Sequence, residues 1–139
     1  MEKLRELPKQ TAVRAIIVNS ERKVMLIKRG KGTFEGGKWC LVGGKPDNDE
    51  ELDVAVSREL QEEVGSNLPL SYWTEIENPD TSTGVKWTTH YFVGQSDELP
   101  TDFDRREVSK VGFFSQQELD DIEIAFDHRD ILKRYFDSH

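Results

Sequence analysis

Between Glu51 and Val64 the apolar residues Leu52, Val56, Leu60 and Val64 recur every fourth position, the period of a helix that turns one face to a core. The segment is punctuated at both ends. Asn48 reads as an N-cap with Glu51, three residues on, as its capping-box partner, and Gly65 suits the left-handed position that follows a helix. A helix so bounded has to bury its stripe, and the rest of the chain must supply the surface that covers it.

The same helix carries Glu59, Glu62 and Glu63 within about one turn, in a chain whose formal net charge is already -8. Residues three and four apart are neighbours on a helix surface, so the three share a face. That face lies roughly a quarter turn from the apolar stripe, so the carboxylates border the core instead of standing opposite it. Their repulsion is relieved either by protonation of one of them or by a bound cation. Carboxylates suit hard cations such as Mg²⁺, Mn²⁺ or Ca²⁺, and Mg²⁺ is usually held by one or two of them plus substrate phosphates. Ala55, one turn before Glu59, keeps this face low enough for a ligand to lie across it, and Arg58, four residues before Glu62, can brace that carboxylate.

The flanking charges are polarised. From Arg22 to Lys45 there are seven Lys or Arg residues against Glu35, whereas from Pro46 to Glu63 there are eight acids against Arg58. A basic segment abutting an acidic one is what a phosphorylated ligand plus a divalent cation requires, and the acidic balance of the whole chain argues against binding nucleic acid through a basic face.

At 139 residues with 35% hydrophobic content, the chain suits one domain spanning 1–139. The N-terminal MEKLRELPKQ is charged, and no stretch approaches the roughly 20 apolar residues of a membrane span, so the chain reads as cytoplasmic. Cys40, the single cysteine, reads as a small buried side chain.

Ala12 to Val18 and Val24 to Ile27 read as a hairpin about the turn-prone Asn19 to Arg22. A glycine-rich loop from Gly30 to Gly37 leads to a strand over Trp39 to Val42, which Gly43-Gly44 should break. Glycine there would let the backbone approach a ligand and offer a carbonyl to a metal. Strands follow over Tyr72 to Glu77 and Val85 to Val93, joined by a turn from Asn78 to Gly84, and over Val108 to Phe114. A last helix is announced by Asp127 as N-cap, with Phe126 and Ile131 placed for a hydrophobic staple. Strands, helix, strands, helix is the order of a mixed sheet covered by helices.

Gly44, Glu50, Arg58-Glu59-Leu60, Glu62-Glu63 and Gly65, at their spacings, resemble the signature of the Nudix (MutT-like) hydrolases over residues 44–66. The seven identities other than Leu60, at about one in fifteen each, would coincide by chance roughly once per 10^8 windows. Ser66 stands where the family usually has a bulky aliphatic, Asp49 where it often has glycine, and Val42 where proline often precedes the two glycines.

The resemblance implies an α/β fold, an α/β/α sandwich with a mixed central sheet. It also implies a Mg²⁺- or Mn²⁺-dependent pyrophosphohydrolase that cleaves a nucleoside diphosphate linked to another moiety. By it, Glu59, Glu62, Glu63 and the Gly44 carbonyl would hold metal, while Glu50 and Arg58 would hold the loop and helix in place, with Gly43 and Gly65 as structural support. The general base would be Glu59 or an acid from a late loop, with Glu107 the best positional match and Glu98, Asp102 and Asp104 its rivals.

Lys28, Arg29 and Lys45 are expected to contact phosphate or base, Arg29 through its forked donors. Trp39, Tyr72, Trp73, Trp87, Tyr91 and Phe92 offer stacking surfaces, although strand aromatics more often belong to the core. His90 and His128 lack neighbours at metal-ligand spacing and read as structural. Ala125-Phe126-Asp127-His128 resembles tails in Nudix proteins of the ADP-ribose type, while nucleoside triphosphates, nucleotide sugars and dinucleoside polyphosphates stay open. The expected partner is a small nucleotide, with no stable nucleic-acid binding and no membrane, and a homodimer is left open. The alternative is a non-catalytic Nudix-like module that senses a nucleotide.

Overall fold

β1 (Lys9–Val18) is the hub of the fold. In the computed structural model, which describes residues 9–80 and 84–139, β1 pairs in parallel with β6 (Val85–Gln95) along its whole length, from Lys9 opposite Lys86 to Val18 opposite Gln95. On its other side it meets β2 (Val24–Arg29) only where Val18 faces Val24. The expected hairpin therefore closes at its turn and then opens. Into that opening come β3 (Trp39–Cys40), antiparallel to β2, and β4 (Val42–Gly44), antiparallel to β1.

The sheet runs β3-β2-β1-β6-β5, with β5 (Ser71–Asp80) antiparallel to β6, and β7 (Val108–Phe114) pairs with β2. This is the expected mixed sheet. The connection read from Asn78 to Gly84 includes residues 81–83, which lie outside the described residues, as do residues 1–8 of the charged N-terminus.

Successive side chains of a strand point to opposite faces, and the apolar run of β1 uses both. Val13, Ala15 and Ile17 enter one core layer with Met25, Ile27 and Val42, covered by Ala55, Val56, Leu60 and Val64 of α1 (Leu52–Val64). Ile16 and Val18 enter the other with Val24, Leu26 and Tyr91, covered by Ile131, Leu132, Tyr135 and Phe136 of α2 (His128–Ser138). A helix on each face makes the α/β/α sandwich. Leu60 is fully buried, and a leucine so placed is worth about 2–5 kcal/mol against alanine.

The start of α1 differs from the expectation. Its N-cap is Glu51, in extended conformation and without a side-chain cap, and Asn48 takes no part. The preceding loop explains the change. Glu50 N–H donates to the Asp47 carbonyl, Asp47 N–H returns a bond to Glu50 Oε1, and Asp49 adopts φ +63, so the tight turn delays the helix. Gly65, with φ +66, closes α1 as its spacing predicted.

Gly43 and Gly44 do not break a strand. The break falls one position earlier than Val42, at Leu41, and both glycines continue β4 opposite Arg14 and Val13. At α2, Asp127 occupies the N-cap position but makes no side-chain cap bond, its carboxylate accepting instead from Asn78 Nδ2. No staple forms either: Phe126 has φ +59 and stays outside the core layer that takes Ile131. Among the described residues no helix is long and apolar enough to cross a membrane.

Candidate active site

β4 pairs with the middle of β1, from Val13 to Ala15, and its backbone meets the carboxylates of α1. Gly43 N–H donates to Glu63 Oε2 at 3.1 Å. At Gly44 a Cβ would lie 2.6 Å from Glu59 Oε1, so only glycine lets the carboxylate rest there. Burial, followed by its hydrogen bond to Glu59, pushes the Glu63 carboxyl well above the usual carboxylate range.

Arg58 gathers the remaining charges. Its Nε and Nη2 fork onto Glu50 at 2.9 Å each, Nη1 reaches both Glu59 Oε1 and Glu62 Oε2 at 3.1 Å, and Nη2 also donates to the Lys45 carbonyl at 3.1 Å. Forked, charge-assisted bonds of this kind are strong and directional. They hold Glu50 below the usual carboxylate range and raise the guanidinium further above its own. One side chain thus ties the loop before α1 to the face that carries the glutamates.

Among the described residues no three His, Cys, Asp or Glu side chains stand as a ready ligand cluster. The donor set nevertheless fits a hard divalent cation: Glu59 and Glu63 meet beside the Gly43-Gly44 backbone, and Arg58 holds Glu62, its side chain 58% exposed, next to Glu59.

Beside Gly44 opens a cavity of about 860 Å³ lined by Trp87, Tyr91, Phe34, Phe126, Arg14 and Lys45, with Asn78, Asp127 and His128 also at its wall. Its size and its mix of aromatic and sparse polar groups are those of a small-molecule site. Lys45 Nζ lies 5.3 Å from the Trp87 ring, and the guanidinium carbons of Arg29 and Arg14 lie 5.0 and 5.4 Å from the Phe126 ring. Phe34, 77% exposed, stands 6.3 Å from Phe126.

A model of the NUDIX domain matches residues 8–135. The chain belongs to the Nudix family. This Nudix chain is 27% identical to an RNA pyrophosphohydrolase of Gluconacetobacter diazotrophicus, over 71% of this chain and 75% of that protein. It is 37% identical to a CTP pyrophosphohydrolase of Escherichia coli, over 53% of this chain and 55% of that protein. A crystal structure of a MutT NUDIX hydrolase from Burkholderia pseudomallei aligns at 27% identity with a TM-score of 0.78, covering 90% of this chain and 96% of that one. The protein is a hydrolase acting on pyrophosphate bonds, and Nudix hydrolases generally need a divalent metal.

Within the Nudix signature, Asp49 takes up the left-handed conformation in place of the glycine common in the family, as a short polar side chain can. Of the expected phosphate contacts, Lys45 lines the cavity and Arg29 reaches its edge, where Nε donates to the Phe34 carbonyl at 2.6 Å. Lys28 does not line it; its ammonium lies 6.0 Å from the Trp39 ring.

Glu107 is exposed in the loop before β7, where its carbonyl accepts from Gly30 N–H. Asp104 is taken up by Arg106, whereas the Asp102 carbonyl packs against Gly65 at the end of α1. Trp39 and Trp73 pack against one core layer and Phe92 lies in the other, His90 bonds Tyr72, and Cys40 is buried with its thiol pushed up by desolvation.

Arg14, Phe34 and Phe126 were not expected at the cavity. A charge at the third position of Ala12-Val13-Arg14-Ala15-Ile16-Ile17-Val18, inside an otherwise apolar strand, was the available signal for Arg14. Nothing local singles out Phe34, whose role depends on where the glycine-rich loop folds.

Proposed function

We propose that this Nudix hydrolase cleaves the phosphoric anhydride of a small nucleotide, a nucleoside triphosphate or a nucleoside diphosphate linked to another moiety, with Mg²⁺ or Mn²⁺. Glu59, Glu62, Glu63 and the Gly44 carbonyl would hold the cation. When bound, such a cation neutralises diphosphate charge and lowers the pKa of water. The observation that carries the reading is the meeting of Glu59 and Glu63 with the Gly43-Gly44 backbone at the mouth of an aromatic cavity.

In this reading Arg58 holds Glu59 and Glu62 in one plane of approach, Lys45 and Arg29 bind phosphate oxygens, and Trp87 and Tyr91 take the base. A carboxylate accepts the proton of the attacking water, either Glu59 or an acid of the loop that carries Asp102 and Glu107. The cavity volume and the net charge of -8 favour a mononucleotide-sized ligand over a polynucleotide.

The test is phosphate or pyrophosphate release from CTP and other normal and oxidised nucleoside triphosphates, ADP-ribose, nucleotide sugars, dinucleoside polyphosphates and RNA bearing a 5′-triphosphate. Mg²⁺, Mn²⁺ and EDTA arms accompany each substrate. Metal-dependent turnover of a small nucleotide, lost by orders of magnitude in folded Glu62→Gln, is the expected result. Turnover unchanged in that variant would remove the metal assignment. Nucleotide binding without any release would favour the sensing module.

A further inference from the structure

Leu41 is where the chain changes partners. Cys40 pairs with Ile27 of β2, and Val42 pairs with Ala15 of β1. The Leu41 peptide groups fall between the two ladders and are fully buried, where an unpaired N–H or carbonyl is costly. Side chains satisfy both. Leu41 N–H donates to His128 Nδ1 at 3.1 Å, and Arg14 Nη1 donates to the Leu41 carbonyl at 3.1 Å.

A backbone N–H can only donate, so Nδ1 accepts and the ring proton sits on Nε2. Burial, with Arg14 and then Arg29 nearby, holds the imidazole neutral, as that bond needs. Two residues beyond Leu41, Gly43 N–H holds Glu63, and the next residue, Gly44, lies against Glu59. Arg14 and His128 both line the substrate cavity.

We propose that His128 and Arg14 are positioning residues of the hydrolytic centre: by fixing the Leu41 peptide they set β4, and through it the Gly43 and Gly44 backbone, against Glu63 and Glu59. This rests on the reading of those glutamates as the centre. It also couples cavity to centre, because a ligand that shifts either side chain shifts the strand on which the carboxylates rest.

His128→Asn and His128→Gln separate the roles of the two ring nitrogens. Asparagine places its Oδ1 near the Nδ1 position and can accept from Leu41 N–H, whereas glutamine carries its amide one bond further, toward the Nε2 position. Amide hydrogen exchange at Leu41 and Gly43 is read without metal or nucleotide, and Mn²⁺ affinity is read by calorimetry without nucleotide. In His128→Gln, exchange at both amides should quicken at least about tenfold and Mn²⁺ affinity should fall about tenfold. His128→Asn should stay within about threefold of the parent on both readouts, given a bond of the same class.

Equal behaviour of the two variants, or parent-like exchange in both, overturns the proposal. If neither folds, Arg14→Met removes the bond to the Leu41 carbonyl while leaving His128 in place, and unchanged exchange at Gly43 overturns it. If the parent and Glu62→Gln bind Mn²⁺ equally, the metal reading falls, and the exchange contrast still decides whether His128 positions β4.

Discussion

Gly44 and Glu59 touch across the gap between β4 and α1, so close that a Cβ on Gly44 would fall 2.6 Å from the Glu59 carboxylate. The obstructing atoms are the end of a flexible side chain, which can swing away. Gly44→Ala should therefore keep the fold, losing no more than about 1 kcal/mol, while moving Glu59 and lowering kcat about 10- to 100-fold. Thermal melting beside steady-state kinetics checks this. Parent-like kcat would mean that the carboxylate's resting place is immaterial.

Arg58 works through the shape of its fork. Arg58→Lys keeps the charge but cannot bond Glu50, Glu59, Glu62 and the Lys45 carbonyl together. The expected loss in kcat is about 10- to 100-fold. Full activity in the lysine variant would reduce Arg58 to a charge balance.

His128 predicts an acid limb in stability. Its folded pKa lies well below the ordinary 6.5, so below pH 6.5 the unfolded chain takes up a proton that the folded chain refuses. Its contribution is complete above that pH and is lost as the pH falls toward the folded value, by at most about 1.4 kcal/mol per pH unit. Urea melts between pH 7.5 and 5 should show the decline, and His128→Asn should flatten it. An equal decline in the variant would assign the effect to other groups.

Trp87 lines the cavity beside Lys45. Trp87→Ala should raise KM about tenfold, as expected for one lost base-stacking surface, and leave kcat within about threefold. A loss confined to kcat would place the base elsewhere.

The sandwich was legible because α1 carries its own period and the strands their apolar runs between turn signals, and the face of Glu59, Glu62 and Glu63 because spacing alone brings it together. Arg58 reaching Glu62 follows from the same helical arithmetic, although its fork onto Glu50 depends on a loop conformation that Asp49 makes available. What could not be read locally was pairing at a distance. β1 opening from β2 at Val18, β4 entering beside it, and Leu41 being satisfied by residues from β1 and α2 are outcomes of tertiary competition. The wall formed by Phe34 and Phe126 belongs to the same class, since Phe126 adopts φ +59 instead of the staple its position suggested.

The parallel pairing of β1 with β6 joins the beginning of the described chain to its later part, and such non-local contacts form slowly because loop closure precedes any gain. A nascent chain that has been made only as far as Gly65 already contains every carboxylate of the signature, but lacks β6, most of the cavity wall and His128. On the proposed reading, the site is therefore completed only with the closing of the sheet, late in biosynthesis.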